Sequence, residues 1–254
     1  MLTKRIIACL DCNNGRVIKG IQFQNHEDIG DAITLAQKYS NSADELVLYN
    51  ITSSADGKTV SYQWIREISK SVNIPFCIAG GIRTLQDADN ILNNGADKIS
   101  INTPALENPK IIGEFVKKFG SQAVVVGIDT KKINGINTIY KNTGKLEQMS
   151  SVKKTLEEWV IEIQERGAGE IVINSINSDG TRNGYDVSLL QDLRKIVKVP
   201  LIASGGAGTM QHFLDVFNLA HVDGALAASV FHKEIININN LKQFLVSKNI
   251  PMRI

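Results

Sequence analysis

Short apolar runs alternate along the chain with segments in which apolar residues recur at helical spacing. The runs are almost continuously apolar, a pattern typical of parallel strands that are buried on both faces. Helical spacing is clear in intervening segments such as 31–39, 85–93 and 156–166. The pattern predicts eight strands, at residues 5–10, 45–48, 76–79, 98–101, 123–128, 170–174, 201–203 and 224–227.

Eight strand–helix units in one chain favour a closed barrel over an open sheet. The chain has 254 residues, and a (β/α)8 barrel typically has about 250. Its hydrophobic fraction of 43% is enough for a substantial core. We therefore predict an α/β protein that forms a single (β/α)8 TIM barrel, with one domain over residues 1–254.

An internal repeat supports this architecture. Residues 73–82 read Asn-Ile-Pro-Phe-Cys-Ile-Ala-Gly-Gly-Ile, and residues 198–207 read Lys-Val-Pro-Leu-Ile-Ala-Ser-Gly-Gly-Ala, an offset of 125 (198 − 73). Other strand starts recur at the same offset. The repeat predicts two half-barrels, at about residues 1–120 and 121–254, that are related by approximate twofold symmetry.

Composition narrows the function class. The formal net charge is only +2, which gives no reason to expect nucleic acid or a membrane surface as a partner. No segment has the pattern of a signal peptide or the roughly 20 apolar residues of a membrane helix, so a cytoplasmic enzyme is expected.

Cys9 and Cys12 form a C-x-x-C, but on a strand they would point to opposite faces about 10 Å apart. We predict neither a disulfide nor a metal site.

Two aspartates follow predicted strands one and five. Asp11 and Asp129 stand at the carboxyl ends of these strands, the end that carries catalytic residues in this fold. Strands one and five oppose each other across the barrel, so the two carboxylates suit general acid and general base work on one substrate. Helix capping is the structural alternative for either residue. The sequence leaves open which aspartate is the acid.

Two glycine pairs with hydroxyl partners predict two phosphate sites. Glycine lets backbone N–H groups approach a phosphate closely, and a following helix N-terminus favours its charge. Two such sites on opposite sides imply a substrate with a phosphate at each end. The first site is predicted at Gly80, Gly81, Asn102 and Thr103, and the second at Gly205, Gly206, Ala228 and Ser229. Asp179, Gly180 and Thr181 form a predicted further contact after strand six.

Four charged residues stand at strand starts, at the opposite end of the barrel: Arg5, Glu45, Lys98 and Glu170. Side chains alternate along a strand, so Arg5 points inward if Asp11 does. Two cations and two anions would then meet on the barrel axis, where they can pair. They form either a structural plug or a gate on a channel, because the layers above hold small or apolar groups, namely Cys9, Val47, Ser100, Gly127 and Val172.

Many short motifs resemble one family, the cyclase subunits of imidazole glycerol phosphate synthase. They extend from residue 4 to residue 232. The motifs are Lys4-Arg-Ile-Ile, Cys9-Leu-Asp11, Gly15-Arg-Val-Ile-Lys-Gly20, Ala43-Asp-Glu-Leu-Val, Gly80-Gly-Ile, Gly95-Ala-Asp-Lys-Ile-Ser-Ile-Asn102, Gly167-Ala-Gly-Glu-Ile, Asp179-Gly-Thr, Gly184-Tyr-Asp, Ala203-Ser-Gly-Gly-Ala-Gly and Ala225-Leu-Ala-Ala-Ser-Val-Phe-His.

The resemblance implies a reaction. The family uses ammonia from a partner glutaminase to convert phosphoribulosyl-formimino aminoimidazole carboxamide ribotide into imidazole glycerol phosphate and aminoimidazole carboxamide ribotide, without a metal or organic cofactor. Asp11 and Asp129 match the family's acid–base pair. Lys19 matches a residue near the substrate and the ammonia outlet, although a solvated loop lysine is the alternative. The four charged residues at the barrel bottom match a gate where the glutaminase docks.

Some positions depart from the family pattern. Asn50 stands where the family usually has Asp, Asn177-Ser178 is less charged than usual, and Cys12 replaces an apolar residue. Residues 131–154 show no clear pattern. Two other activities compete: the sister isomerase barrel of the same pathway, and a non-cyclising relative that conducts ammonia to a sugar-modifying enzyme. The Cys-Leu-Asp11 motif and the bottom charges favour the cyclase over the first, and the retained aspartates and phosphate sites favour it over the second.

Overall fold

The computed structural model describes residues 2–21, 24–51, 61–144 and 146–254, without the side chains at 19–21, 24–26 and 146. The strands are β1 Arg5–Asn13, β2 Arg16–Ile21, β3 Gln24–Asp31, β4 Glu45–Asn50, β5 Phe76–Ala79, β6 Lys98–Ile101, β7 Val124–Ile133, β8 Ile136–Lys141, β9 Ser150–Ser151, β10 Glu170–Ser175, β11 Leu201–Ser204 and β12 Gly224–Ala227. The helices are α1 Ala32–Ser40, α2 Tyr62–Ser71, α3 Leu85–Asn93, α4 Thr103–Glu107, α5 Lys110–Phe119, α6 Leu156–Glu165, α7 Val187–Arg194, α8 Met210–Leu219, α9 Ser229–His232 and α10 Ile238–Ser247.

Eight parallel strands close into a barrel in the order β1, β4, β5, β6, β7, β10, β11 and β12, with β12 pairing back to β1. The helices that follow them cover its outside. The eight predicted strands and the predicted fold class are therefore confirmed. The main differences lie at strand ends, since β1 continues to Asn13 and β7 to Ile133.

Both of these extensions lead into antiparallel hairpins that were not predicted. The turns are Asn14-Gly15 and Asn134-Gly135, with φ values of 48° and 79° in the first and 49° and 83° in the second. Positive φ at both central residues is the type I′ turn that matches the twist of paired strands. Residues 131–154, in which the sequence shows no clear pattern, thus contain the end of β7 together with β8 and β9. Hairpins after the first and fifth barrel strands agree with the half-barrel repeat, which stays a prediction.

The barrel strands separate two apolar layers. Ile6, Ala8 and Leu10 pack outward with the helices in the main core, whereas Ile7 and Cys9 belong to a small cluster inside the barrel. The alternation predicted for strand one is therefore confirmed, and it directs alternate side chains of each strand into the interior. None of the helices in the described ranges is long and apolar enough to cross a membrane.

Candidate active site

A cavity of about 200 Å³ lies inside the barrel. It extends from Glu45 and Glu170 at the strand starts to Asp11 and Asp129 at the carboxyl ends, where both glycine pairs line its mouth. Most side chains along its wall are small or apolar. These residues are Ile7, Cys9, Val47, Cys77, Ser100, Gly127, Val172, Ile202 and Leu226. The barrel interior is thus open between the bottom charges and the two aspartates.

Asp129 is buried, with 7% of its surface exposed, and accepts three hydrogen bonds. Asn174 Nδ2 donates to its Oδ1 at 2.9 Å, and Asn102 Nδ2 donates to its Oδ2 at 2.8 Å. Thr143 Oγ1 donates to the same Oδ2 at 2.5 Å. Burial raises the pKa of the Asp129 carboxyl above its ordinary value, although the three bonds oppose this shift. A carboxyl group that gains a proton readily, and is held in one orientation, suits proton transfer.

Asp11 is less buried and faces the same cavity. Cys9, two residues earlier on the same face of β1, places its Sγ 3.5 Å from Asp11 Oδ1. Tyr49 of β4 pairs in register with Asp11 and also lines the cavity. Burial raises the pKa of the Tyr49 hydroxyl, and the charges of Asp129 and Asp11 raise it further. The tyrosine therefore stays neutral at ordinary pH and lies within electrostatic reach of both aspartates.

The three cysteines are free thiols, and all are buried. Cys9 faces the interior cluster and Cys12 the outer core, as predicted for positions three apart on a strand. Burial raises the pKa of the Cys12 thiol. Among the described residues, no group of three or more His, Cys, Asp or Glu side chains is arranged to hold a metal ion.

The two glycine pairs adopt the same unusual backbone. Gly80 and Gly205 both have a φ of 91°, and Gly81 and Gly206 have φ values of 74° and 105°. A Cβ atom at Gly80 would lie 2.3 Å from the Asn50 carbonyl oxygen, and one at Gly206 would lie 2.0 Å from that of Gly184. Only glycine fits such close approaches. Both glycine pairs are thus required where another segment of the protein's own backbone passes close to the end of a barrel strand.

The helix starts beside these glycines also match each other. Asn102 (φ −126°, ψ −86°) precedes α4, and Ala228 (φ −128°, ψ −75°) precedes α9, and neither start has a side-chain cap. Thr103 and Ser229, the first residues of these helices, line the cavity, as do Asp179 and Gly180. The amide of Asn102, predicted to bind substrate, instead donates to Asp129. The side chain of Lys19 lies outside the described residues.

The four bottom charges form one connected ion-pair cluster, named here the charge ring. Arg5 binds Glu45 and Glu170 at 2.5 Å each. Lys98 binds Glu45 at 2.8 Å and Glu170 at 3.3 Å. The glutamate side chains are only 3% and 8% exposed, and those of Arg5 and Lys98 are 23% and 16% exposed. Each cation thus bridges both anions at the bottom of the cavity.

Burial and opposite charges compete in the charge ring. Burial alone would lower the pKa of Lys98, but the charges of Glu45 and Glu170 outweigh it and raise that pKa. The same balance raises the pKa of Arg5. Burial and the neighbouring Glu170 raise the pKa of Glu45, against the opposing effect of Lys98 and Arg5. Glu45 therefore depends on both cations to remain ionised.

Three polar residues of the site were missed in the sequence. Asn174 is the second-last residue of β10, Ser204 ends β11, and Thr143 follows β8. Asn174 is the last residue of the strand predicted at 170–174, and its position at a carboxyl end could have identified it. Thr143 is reached only through the unpredicted hairpin, for which Asn134-Gly135 is the available signal. Asn177 is one of the positions that depart from the family pattern. Its side chain accepts a hydrogen bond from Lys132 N at 2.7 Å and so joins the loop after β10 to β7.

A closed (β/α)8 barrel with two carboxylates and two glycine pairs around one cavity at its carboxyl-end mouth has the architecture of a barrel enzyme. The profile of the family described as "Histidine biosynthesis protein" matches residues 5–237. The chain is 54% identical over 256 residues to "Imidazole glycerol phosphate synthase subunit HisF" of Aliivibrio fischeri (strain MJ11), covering 100% of both chains. Proteins of the same name from Proteus mirabilis (strain HI4320) and Vibrio campbellii (strain ATCC BAA-1116) are 53% and 52% identical over 257 residues, again with 100% of both chains covered.

The chain belongs to the HisF family, the cyclase subunits of imidazole glycerol phosphate synthase in histidine biosynthesis. The family membership and the lyase activity expected from the sequence are confirmed. A subunit name also implies a partner subunit.

Proposed function

We propose that this chain closes an imidazole ring between its two phosphate pockets, using ammonia from a glutaminase subunit. Its substrate would be phosphoribulosyl-formimino aminoimidazole carboxamide ribotide, and its products imidazole glycerol phosphate and aminoimidazole carboxamide ribotide. The supporting observation is that Asp11, Asp129 and both glycine pairs line one cavity. The paired pockets would hold the two phosphates and stretch the substrate across the two carboxylates. The cytoplasmic location predicted from the sequence stays part of this proposal.

Asp11 and Asp129 would move the protons of the reaction. Ammonia attack and ring closure each require a proton to leave nitrogen and another to reach a leaving oxygen or nitrogen, which suits one acid and one base. The two environments differ, because Asp129 is buried among hydrogen-bond donors while Asp11 is less buried. Different environments keep the proton affinities of two carboxylates apart, and this separates their roles.

Ammonia would enter through the charge ring and travel up the barrel. The cavity is continuous from Glu45 and Glu170 to the aspartates, and its wall is largely apolar. Neutral ammonia crosses such a wall more readily than the ammonium ion, which would be held by carboxylates and penalised by burial. The glutaminase would dock at the bottom of the barrel, where the charge ring faces outward, and form a heterodimer.

The proposal is tested with Asp11→Asn and Asp129→Asn, which keep the shape of each side chain. Each should lower turnover at least ~100-fold, the usual scale for a lost acid or base, with little change in substrate affinity because the phosphates carry binding. Turnover is measured with free ammonia, so that no partner is needed.

The matched control is Asp89→Asn, which removes a half-buried carboxylate, distant from the cavity, that pairs with Lys118 at 2.9 Å. It should retain parental turnover. Near-normal turnover in either active-site variant would rule out the acid–base assignment.

A further inference from the structure

Asp129 is held by residues from three separate elements, and these bonds determine which part of the carboxylate remains available. An ionised carboxylate has about four lone-pair positions on its two oxygens. Asn102 and Thr143 occupy both positions of Oδ2. Asn174 occupies one position of Oδ1. In the described part of the chain, one lone pair on Oδ1 remains to exchange a proton with substrate.

Asn174 is itself fixed by a neighbour. Ser204 Oγ donates to Asn174 Oδ1 at 3.1 Å, and this bond turns the Nδ2 group of the amide toward Asp129. The three residues lie side by side, since Asn174 pairs in register with Asp129 on one side and with Ser204 on the other. Ser204 also directly precedes Gly205, whose Cβ position would lie 3.2 Å from Asn174 Oδ1. A continuous polar chain thus joins the second phosphate pocket to the carboxylate.

We propose that Asn174, oriented by Ser204, is a positioning residue that turns the Asp129 carboxylate so that one lone pair of Oδ1 serves the substrate. This inference rests on the proposed function, because it assumes that Asp129 transfers a proton, and it assigns Asp129 as the general base, whose ionised form accepts the proton at that lone pair. Asn174 acts through Asp129, and its own amide carries no proton in the reaction. Two consequences follow: the carboxylate has a fixed direction, and its ionised form gains one hydrogen bond.

The surroundings of Asp129 make these consequences measurable through pH. Three neutral residues touch it: Asn102 after β6, Thr143 after β8 and Asn174 of β10. Among the described side chains, Tyr49 of β4 interacts with its charge. Other described titratable groups line the same cavity, among them Cys9, Asp11, Arg83 and Asp179. Removal of a donor to the charged form should raise the pKa of a carboxyl group that burial already raises.

The experiment compares Asn174→Leu, which keeps the approximate size but lacks a donor, with Ser204→Ala and Ser204→Thr. The ammonia-driven kcat and KM are measured between about pH 5 and pH 9, where catalytic carboxyl groups of raised pKa titrate. Asn174→Leu should lower kcat about 10-fold and move the acidic limb of the kcat profile up by about one pH unit, with KM within about twofold. Ser204→Ala should change kcat and the position of the acidic limb in the same directions but by less. Ser204→Thr keeps the hydroxyl and should restore both to the parental values.

A merely structural role predicts a different outcome. If Asn174→Leu lowers kcat without moving the acidic limb, or raises KM alone, the inference is overturned. If that variant does not fold, Ser204→Ala decides, because it removes a single oxygen atom, and an unshifted acidic limb in that variant also overturns the inference. Asp129→Asn in the same assay separates this inference from the proposed function: an inactive Asp129→Asn beside an unaffected Asn174→Leu refutes only the positioning role.

Discussion

Replacement of Lys98 by methionine would show whether the charge ring is a gate or only a plug. Methionine keeps the length and apolar stem of lysine but removes the charge that binds Glu45 and Glu170. The ring would then hold two carboxylates and one cation, Arg5. A gate and a plug would both lose stability in this variant. They differ in whether glutamine-driven turnover falls more than ammonia-driven turnover.

The cost in stability can be bounded from the contacts. Loss of one partner from a buried ion pair costs ~3–5 kcal/mol. Arg5 keeps its bond to each glutamate, and Glu45 can take up a proton, so we expect the lower end, about 3 kcal/mol. The free energy of unfolding of a typical domain is roughly 5–15 kcal/mol, so the variant should remain folded. Because a neutral Glu45 removes the excess charge, the loss should diminish as the pH falls.

The assay is the ratio of glutamine-driven to ammonia-driven turnover in the complex with the glutaminase. Free ammonia can reach the open carboxyl-end mouth directly, so ammonia-driven turnover should remain close to the parental value. If the ring is a gate, ammonia from glutamine has to pass it, and glutamine-driven turnover should then fall several-fold more, a difference of about 1 kcal/mol in the barrier. A plug predicts equal losses.

Two controls make the result decisive. Complex formation is measured separately, because Asp97 beside Lys98 lies at the same end of the barrel. Lys38→Met removes a lysine whose pair with Glu234 is exposed on both sides, and exposed pairs contribute little, so stability and ratio should both be unchanged. An unaltered ratio in Lys98→Met, with the complex intact, would refute the gate.

Two further predictions concern the mouth and the outer shell of the barrel. Crystals grown with phosphate or sulfate should hold one ion near Gly81 and Thr103 and another near Gly206 and Ser229, whereas a single ion far from both would contradict a substrate with two phosphates. Asp31 caps α1 through Thr34 N at 2.8 Å, and this backbone bond lowers the pKa of its carboxyl group. Asp31→Ala should therefore cost about 1 kcal/mol in denaturant unfolding at neutral pH. Because the pKa of Asp31 is lower in the folded state, the cap stabilises the fold above the unfolded-state pKa, and this contribution is lost as the pH falls through the folded-state pKa. A stability difference between Asp31→Ala and the parental protein that does not change with pH would contradict the cap.

The barrel was predictable because its strands are buried on both faces. Continuous apolar runs located β5 and β12 to the residue, and the alternating Lys-Ile-Ser-Ile of β6 was located equally well. The period of two then placed Arg5 and Asp11 on one inner face. These features depend only on burial and alternation, which a single sequence records directly.

The hairpins and the bonds of Asp129 were harder to foresee. β3 is largely polar and β2 mixes polar and apolar residues, so neither has the continuous apolar run that marks a barrel strand, and the Asn-Gly turns are the clearest local signal. The partner of Asn102 depends on the register between β6 and β7, and neither strand's sequence determines that register alone. Asn102 was therefore assigned to the phosphate, while Thr143 went unnoticed.

The charge ring also bears on how the two halves of the chain unfold. Arg5, Glu45 and Lys98 come from the first four barrel strands and Glu170 from the last four. A half-opened barrel that kept Glu170 in its apolar surroundings would hold an unpaired buried charge, at a cost of several kcal/mol. States in which one half melts alone are disfavoured on that account. The ring thus couples the first four and the last four barrel strands into a single cooperative unit.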